Sequence, residues 1–202
     1  YYEEIKKISI TNKKKKITLF SGYDCDSLAF EAISNFMSYL IKKMSKFENL
    51  ELEIRTKSTY SKLFSRKIIK NVIIAYSLTP ERFSSKYELG VPSINKRLKV
   101  IKRLANLGWK LGFRFDPVII YEGWQEDYKE LFINVFEDIN VNHVHSITFG
   151  KLRFPETVYK KLIKENMSEN LFFNLEKKNN FFEYNNEYKI EIFMRENLTK
   201  FI

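Results

Sequence analysis

The chain is poor in cysteine and in several motifs that identify common enzyme classes. It contains one cysteine, Cys25, among 202 residues, which excludes a disulfide within the chain and a metal site built from several of its own cysteines. A lone cysteine is typical of proteins of the reducing cytoplasm, and we expect that location. The sequence also lacks a phosphate-cradling glycine loop, a serine-nucleophile elbow and a zinc-binding helix motif, so none of these enzyme classes is indicated.

Long apolar segments and linker segments are also missing from the sequence. No run approaches the roughly 18 apolar residues that a membrane-spanning helix needs. No stretch rich in proline, glycine and serine divides the chain, so we expect one domain over residues 1–202, with one well-buried core. The sequence begins with Tyr1 and has no initiator methionine. We therefore expect it to be a piece of a longer protein.

The chain has an excess of positive charge. Its formal net charge is +10 and its pI is about 9.4, which favours a nucleic-acid partner. However, only 8 of the 35 basic residues are arginine, the side chain best suited to forked contacts with phosphates and bases. The chain is also rich in lysine, asparagine, isoleucine, phenylalanine and tyrosine, residues with A/T-rich codons, so genome composition can account for part of the charge. The remaining excess of positive charge supports a DNA or RNA partner.

Strand-like and helix-like segments alternate along the chain. The nearly unbroken apolar run at residues 72–76 is typical of a parallel strand covered on both faces. Other strands are predicted at residues 16–20, 50–55, 111–115 and 144–149. Repeated alternation predicts an α/β fold in which these strands are parallel neighbours in sequence order with helices outside. A barrel or partial barrel is favoured, with a doubly wound sheet as the alternative.

The helices are predicted mainly from apolar residues at three- and four-residue spacings. A long helix is expected to start at an N-cap, Asp26 or Ser27, and to carry an apolar stripe of Ala29, Ile33, Phe36, Leu40 and Met44. Residues 171–175 are predicted to form a last strand, followed by a hairpin or loop at 177–188 and a closing helix from about Lys189.

Polar residues stand where each predicted strand stops. In β/α barrels the carboxyl ends of the strands form the active site. Asp116 is predicted to be buried there, as a ligand anchor, a general base or a structural carboxylate. Lys57 can hold a carboxylate or phosphate as a point charge, or lie along the rim as a solvated lysine. The strand-end groups are Ser21 to Asp24, Thr56 and Lys57, Ser77, Asp116, and Gly150 to Arg153.

Six stretches resemble spore photoproduct lyase and its radical S-adenosylmethionine (radical SAM) relatives, in order and in spacing. The most specific are FDPVIIYEGW, within residues 112–128, and FGKLRF, within residues 147–154. The others are SGYDCDSLAFE (21–31), RTKS (55–58), SLTPERF (77–83) and PSINKRL (92–98).

The resemblance implies a partial (β/α)6 TIM-like barrel of the radical SAM type. In such enzymes a [4Fe-4S] cluster, held by three cysteines spaced CxxxCxxC after the first strand, cleaves S-adenosylmethionine to a 5′-deoxyadenosyl radical. This chain resembles the second strand onward, so we expect the first strand and the cluster cysteines to be absent from it. Its predicted edge strand at residues 16–20 is then a possible homodimer contact.

The resemblance also assigns roles to single residues. It places Ser21, Gly22 and Cys25 near the cofactor, and it makes Lys57 and Ser77 contacts to the amino-acid part or ribose. Asp116 is expected to join them in one cavity. Tyr23 stands where spore photoproduct lyases have a hydrogen-donating cysteine, so it is the candidate catalytic residue.

Three functions follow from these observations. The first is a hydrogen-abstracting radical SAM enzyme that acts on DNA or a modified base, although the stretch at 182–186 lacks the arginine of the family's DNA-approaching hairpin. The second is a non-catalytic nucleic-acid-binding module on the same scaffold. The third is an ordinary barrel enzyme that uses Asp116 and Lys57 for acid–base chemistry.

Overall fold

The computed structural model describes residues 1–22, 25–65, 67–165, 175–185 and 187–202. Its centre is a five-stranded parallel sheet in the order β1-β2-β3-β4-β5. Each strand thus lies beside the strand next in sequence, which confirms the predicted order and direction. The strands are β1 (Ile17–Ser21), β2 (Leu50–Thr56), β3 (Val72–Ser77), β4 (Lys110–Val118) and β5 (Val144–Lys151).

The helices pack on one face of this sheet, as in a partial β/α barrel. Alternate strand residues such as Leu52, Ile74 and Phe113 belong to the same apolar core as residues of the flanking helices. The helices are α1 (Tyr2–Thr11), α2 (Glu31–Ser34), α3 (Phe36–Met44), α4 (Glu81–Tyr87), α5 (Ile94–Asn106), α6 (Trp124–Phe136), α7 (Glu156–Lys164) and α8 (Glu187–Leu198). Short 3-10 helices lie at Lys62–Phe64 and Val141–His143. No helix among the described residues is long and apolar enough to cross a lipid bilayer.

The single long helix predicted from Asp26 or Ser27 to Met44 is wrong. The chain forms α2 and α3 with a break at Asn35, whose φ of 53° is left-handed. The buried carboxylate of Glu31 explains the break, because it accepts hydrogen bonds from the backbone amides of Met37 at 2.8 Å and Ser38 at 2.9 Å. These are amides of the first turn of α3, which have no partner within the helix. The predicted apolar stripe is also wrong in part, since Ala29, Ile33 and Phe36 are exposed and only Leu40 and Met44 are buried.

A small antiparallel sheet follows the parallel one. Its strands are β6 (Arg153–Pro155), β7 (Leu175–Lys178) and β8 (Phe181–Tyr184), in the order β6-β8-β7. The β7–β8 hairpin confirms the hairpin alternative predicted for this part of the chain. Of the strand predicted at 171–175, only Leu175 lies within the described residues, where it opens β7.

The strand β4 is longer than predicted. It continues through Asp116 and Pro117 to Val118, with an irregular register against β5 between Phe115 and Val118. The strand β1 pairs with β2 and forms one edge of the parallel sheet, and β5 forms the other. Phe20 of β1 is 64% exposed, so this edge carries an uncovered aromatic side chain among the described residues.

Candidate functional site

The sheet face that does not pack against the helices, termed the inner face, is polar and charged. On β2 it carries Glu51, Glu53 and Arg55, which alternate with the core residues Leu50, Leu52 and Ile54. Glu51 and Glu53 are 5% and 3% exposed. Charged groups buried to this extent require partners.

Arg114 on β4 is the partner of Glu53. Its Nε lies 3.0 Å from Glu53 Oε1, and its Nη2 lies 2.5 Å from Glu53 Oε2. Arg114 also donates to the carbonyl and the hydroxyl of Ser146 on β5. Burial alone would raise the pKa of the Glu53 carboxyl, but hydrogen bonds and charge from Arg114, with a smaller effect of Arg55, lower it. The pair therefore ties three strands together on the inner face.

Glu88 forms a second buried network at the carboxyl edge of the sheet. Its Oε1 accepts from Lys57 Nζ at 2.7 Å and from the Thr79 hydroxyl at 2.8 Å. Its Oε2 accepts from Arg97 Nη2 at 2.5 Å and from the Ser84 hydroxyl at 2.9 Å. Burial by itself raises the pKa of the Glu88 carboxyl, but the hydrogen bonds and charges of Lys57 and Arg97 outweigh it and lower the pKa to about 2. With two cations around one carboxylate, this network has a net positive charge.

The loop after β1 is fixed to the end of β2 by Asp26. Its carboxylate accepts from the Thr56 hydroxyl at 2.8 Å and from the amides of Leu28 and Lys57. Gly22 lies in the same loop with a φ of 78°. A Cβ on Gly22 would lie 2.5 Å from Ser27 Oγ. Glycine is thus required here by the packing of the protein against itself.

The residues predicted around the cofactor fall into two groups. Ser77 and Asp116 lie on the inner face at the carboxyl edge, and Lys57 follows β2 at the same edge. Ser77 is joined to Lys57 through Arg97 and Glu88, because Arg97 Nη1 donates to the Ser77 carbonyl at 3.2 Å. The prediction that Asp116 is buried is wrong: it is exposed, and its carboxylate stands over Gly150 of β5.

The residues from the loop after β1 form the second group. The Ser21 hydroxyl points toward the helices, where it lies 2.6 Å from Ser27 Oγ and 4.0 Å from the Met37 sulfur. Cys25 is exposed and has no disulfide. Tyr23, the candidate catalytic residue, lies outside the described residues.

Four buried charged residues of the site were missed by reasoning from the sequence: Glu53, Glu88, Arg97 and Arg114. A signal existed for two of them, Glu53 and Arg114, and Arg114 alternates with the apolar residues Leu111, Phe113 and Phe115 of β4. The segment LELEIRT alternates apolar and charged residues, and a strand with this pattern must place its charges on a single face. Glu88 and Arg97 come from a loop and a helix, and only the folded chain brings them together.

The residues present fit the two expected cofactors unequally. The chain has a single cysteine, and the described residues contain no cluster of three or more histidine, cysteine, aspartate or glutamate side chains able to hold a metal. A [4Fe-4S] cluster therefore does not fit this chain by itself. The zwitterionic end of S-adenosylmethionine fits the carboxyl edge better, since half-buried cations, Arg55 and Lys57, stand at the same edge as the exposed carboxylate of Asp116.

Comparison with known proteins places the chain in a family. The model of the family described as "Spore photoproduct lyase" matches residues 3–197. Among curated proteins, the spore photoproduct lyase of Clostridium acetobutylicum is 29% identical over 124 residues, and that of Bacillus subtilis is 30% identical over 93 residues. These matches cover 60% and 45% of this chain but only 37% and 27% of those relatives.

The solved structures agree on the fold. A mutant spore photoproduct lyase with bound AdoMet and dinucleoside spore photoproduct has a TM-score of 0.86 at 18% identity. The alignment covers 100% of this chain and 63% of that one. Another structure, of spore photoproduct lyase complexed with dinucleoside spore photoproduct, has a TM-score of 0.84. At this identity the likeness establishes the radical SAM half-barrel fold, and the family match over nearly the whole sequence establishes that the chain belongs to the spore photoproduct lyase family.

Proposed function

We propose that this chain is the C-terminal part of a radical SAM enzyme similar to spore photoproduct lyase, which abstracts hydrogen from a base in DNA and takes part in DNA repair. The observation that carries the proposal is the family match over residues 3–197. That region includes every strand of the half-barrel and the β7–β8 hairpin. The proposal includes a single domain over residues 1–202. It also includes a cytoplasmic location, which the single cysteine supports.

S-adenosylmethionine is the proposed cofactor, and when cleaved it supplies a 5′-deoxyadenosyl radical. Lys57 is proposed to hold its carboxylate, because its ammonium lies at the carboxyl edge, 2.7 Å from Glu88 Oε1, and its side chain is 35% exposed. Asp116 is proposed to meet its amino group, and Ser77 its ribose. The three thiolate ligands of a [4Fe-4S] cluster would have to come from outside this sequence, which has one cysteine.

Ser21, Gly22 and Cys25 contribute in a different way in this proposal. The bonds of Ser21 and the close packing of Gly22 shape the loop that leads to Tyr23. The exposed thiol of Cys25 lies in the same loop. Tyr23 is proposed to stand near the substrate radical, at the place of the hydrogen-donating cysteine of the lyases.

DNA is the proposed substrate, and the small antiparallel sheet supports this choice. The guanidinium of Arg153 on β6 lies 5.6 Å from the centre of the Phe181 ring on β8. Arg153 therefore supplies an arginine beside the hairpin whose own segment 182–186 lacks one. Structural relatives of this chain bind dinucleoside spore photoproduct.

The proposal is tested on a longer form of the protein that includes the cluster-binding segment. After anaerobic reconstitution, 5′-deoxyadenosine is measured by chromatography with a reductant, S-adenosylmethionine, and DNA that either contains or lacks spore photoproduct. We expect 5′-deoxyadenosine with both DNA substrates. With the DNA that contains spore photoproduct, we also expect the lesion to be lost. Absence of 5′-deoxyadenosine from a protein with a spectroscopically intact cluster would refute the proposal.

The alternatives give different outcomes in the same assay. A non-catalytic nucleic-acid-binding module would bind DNA and yield no 5′-deoxyadenosine. An acid–base enzyme that uses Asp116 and Lys57 would also yield no 5′-deoxyadenosine, and its Lys57 ammonium would have to leave the ion pair with Glu88 at 2.7 Å to act on a substrate. The proposal also includes a homodimer through the β1 edge, which the exposed side chain of Phe20 supports. The molar mass measured by light scattering tests this dimer.

A further inference from the structure

A basic groove lies at the amino edge of the parallel sheet, opposite the edge proposed for the chemistry. It has a volume of about 990 Å³. It is bounded by the end of α3 and the segment before β2 on one side, and by the segment before β3 on the other. Four exposed lysines line it: Lys42, Lys62, Lys67 and Lys70.

The wall of the groove is preformed. The side-chain amide of Asn71 lies 2.8 Å from the carbonyl oxygens of Met44, Phe47 and Leu50. This amide fixes the end of α3 and the start of β2 relative to the segment that carries Lys67 and Lys70. The positions of the backbone that bear the lysines are therefore set by the fold.

The four lysines have no carboxylate within ion-pair distance in the part of the chain that the structure describes. Some other lysines, such as Lys102, have a carboxylate partner. The lining residues include one acid, Glu48, so the groove has a net positive charge.

A second basic segment adjoins the groove. The turn after α1 contains Lys13, Lys14 and Lys15, all exposed. Asn49, which follows Glu48 in the chain, holds this turn beside the groove. The side-chain amide of Asn49 donates to the carbonyl of Asn12 at 3.1 Å. The two segments together form a positively charged surface along the amino edge.

We propose that this groove, with the adjoining turn, binds the phosphate backbone of a nucleic acid without reading its sequence. Lysine suits this role because its ammonium is a compact point charge that can meet phosphates in any register. The inference rests on the proposed function in one respect, the nucleic-acid partner, and adds a second place of contact.

The distance between the two edges of the sheet determines how long a nucleic acid must be to contact both the carboxyl edge and the groove. The strand β3 has six residues, which corresponds to about 20 Å at about 3.3 Å per residue. A dinucleotide bound at the carboxyl edge therefore cannot reach the groove. A duplex of about 20 base pairs, about 68 Å long at about 3.4 Å per base pair, can, so groove lysines should matter for long nucleic acids and not for dinucleotides.

The experiment measures binding of the 202-residue chain to a fluorescein-labelled 20-mer duplex by anisotropy at several salt concentrations. The test variant is Lys67→Ala/Lys70→Ala. The matched control is Lys96→Ala/Lys99→Ala, which removes two exposed lysines from α5. Both variants are first checked for an unchanged unfolding midpoint.

We expect the groove variant to bind more weakly and the slope of log K against log salt to fall by about 2, one for each phosphate that a lysine no longer neutralises. The control should keep the wild-type slope. Equal slopes in the two variants, or no DNA binding by the wild-type chain, would overturn the proposal. A groove variant that binds DNA normally but no longer binds vesicles of phosphatidylserine and phosphatidylcholine would also overturn it. Because undamaged DNA and no cofactor are used, these outcomes are independent of the radical activity.

Discussion

Arg114 on β4 and Glu53 on β2 form a bidentate ion pair that reaches across the strand between them, with contacts of 3.0 and 2.5 Å. The intervening strand has Ala75 on this face, opposite Arg55 in register. Gly112 leaves room for the guanidinium, since a Cβ on Gly112 would lie 2.8 Å from Arg114 Nη2. Two small residues thus allow a long charged pair on the inner face of the half-barrel.

Removing Arg114 should be strongly destabilising, because Glu53 would keep its charge in a buried position without its main partner. We expect Arg114→Ala to lower the free energy of unfolding by about 3–5 kcal/mol, measured by urea denaturation. The control is Arg55→Ala, which removes a more exposed guanidinium 3.4 Å from the same carboxylate and should cost about 1 kcal/mol or less. Similar losses in the two variants would contradict this interpretation of the pair.

The Glu88 network should make stability depend on pH in the acid range. The folded-state pKa of about 2 lies below the usual value of 4.5, so the contribution is complete above about pH 4.5 and is lost as the pH falls toward 2. Between about pH 5 and pH 3 the wild-type chain should lose about 2 kcal/mol that Glu88→Gln does not lose. The measurement is urea unfolding of both proteins at the two pH values. Parallel losses would show that the Glu88 carboxylate is not stabilised by its neighbours.

Sequence reasoning predicted the parallel sheet well because its signal is local. Each strand alternates or concentrates apolar residues, and the polar residues at Ser77 and Lys57 mark strand ends that the fold brings to one edge. The family resemblance, which the comparisons confirm, then gave the half-barrel class.

Other features depended on contacts between distant residues and could not be predicted in this way. The break before α3 is stabilised by Glu31, whose carboxylate reaches two amides of the next helix. Asp116 is exposed although Phe115, the residue before it, is buried, and it lies where the pairing of β4 with β5 becomes irregular. Glu88, the carboxylate partner of Lys57, lies 31 residues away along the chain. None of these has a periodic pattern in the sequence.

Gly22 should tolerate a side chain less well than Gly90, although both have a positive φ. The two φ values are 78° and 75°, so the conformational cost of alanine, about 1 kcal/mol, is similar. A Cβ on Gly90 meets nothing, whereas a Cβ on Gly22 would lie 2.8 Å from the Arg55 carbonyl. We expect Gly22→Ala to cost about 1–3 kcal/mol more than Gly90→Ala in thermal or urea unfolding. Equal costs would show that the loop after β1 can move away from β2.

Lys57 and Lys70 lie at opposite edges of the sheet, and their substitution should affect different ligands. Lys57 lies at the carboxyl edge, in a network of two cations and one carboxylate, and its side chain is 35% exposed while that of Arg97 is fully buried. Lys57 is therefore the cation of that network able to reach a cofactor carboxylate. Lys70 lies in the basic groove at the opposite edge.

In the longer, cluster-containing form of the protein, Lys57→Ala should weaken S-adenosylmethionine binding by about tenfold to a hundredfold, the effect of one hydrogen bond to a charged group. It should leave the affinity for a 20-mer duplex nearly unchanged, and Lys57→Arg should retain most cofactor binding because the charge remains. Lys70→Ala should show the reverse pattern. Calorimetric titration of the cofactor and anisotropy with the duplex give both values for each variant. Unchanged cofactor affinity in Lys57→Ala would remove Lys57 from the site, while the fold and the family assignment, which rest on other observations, would stand.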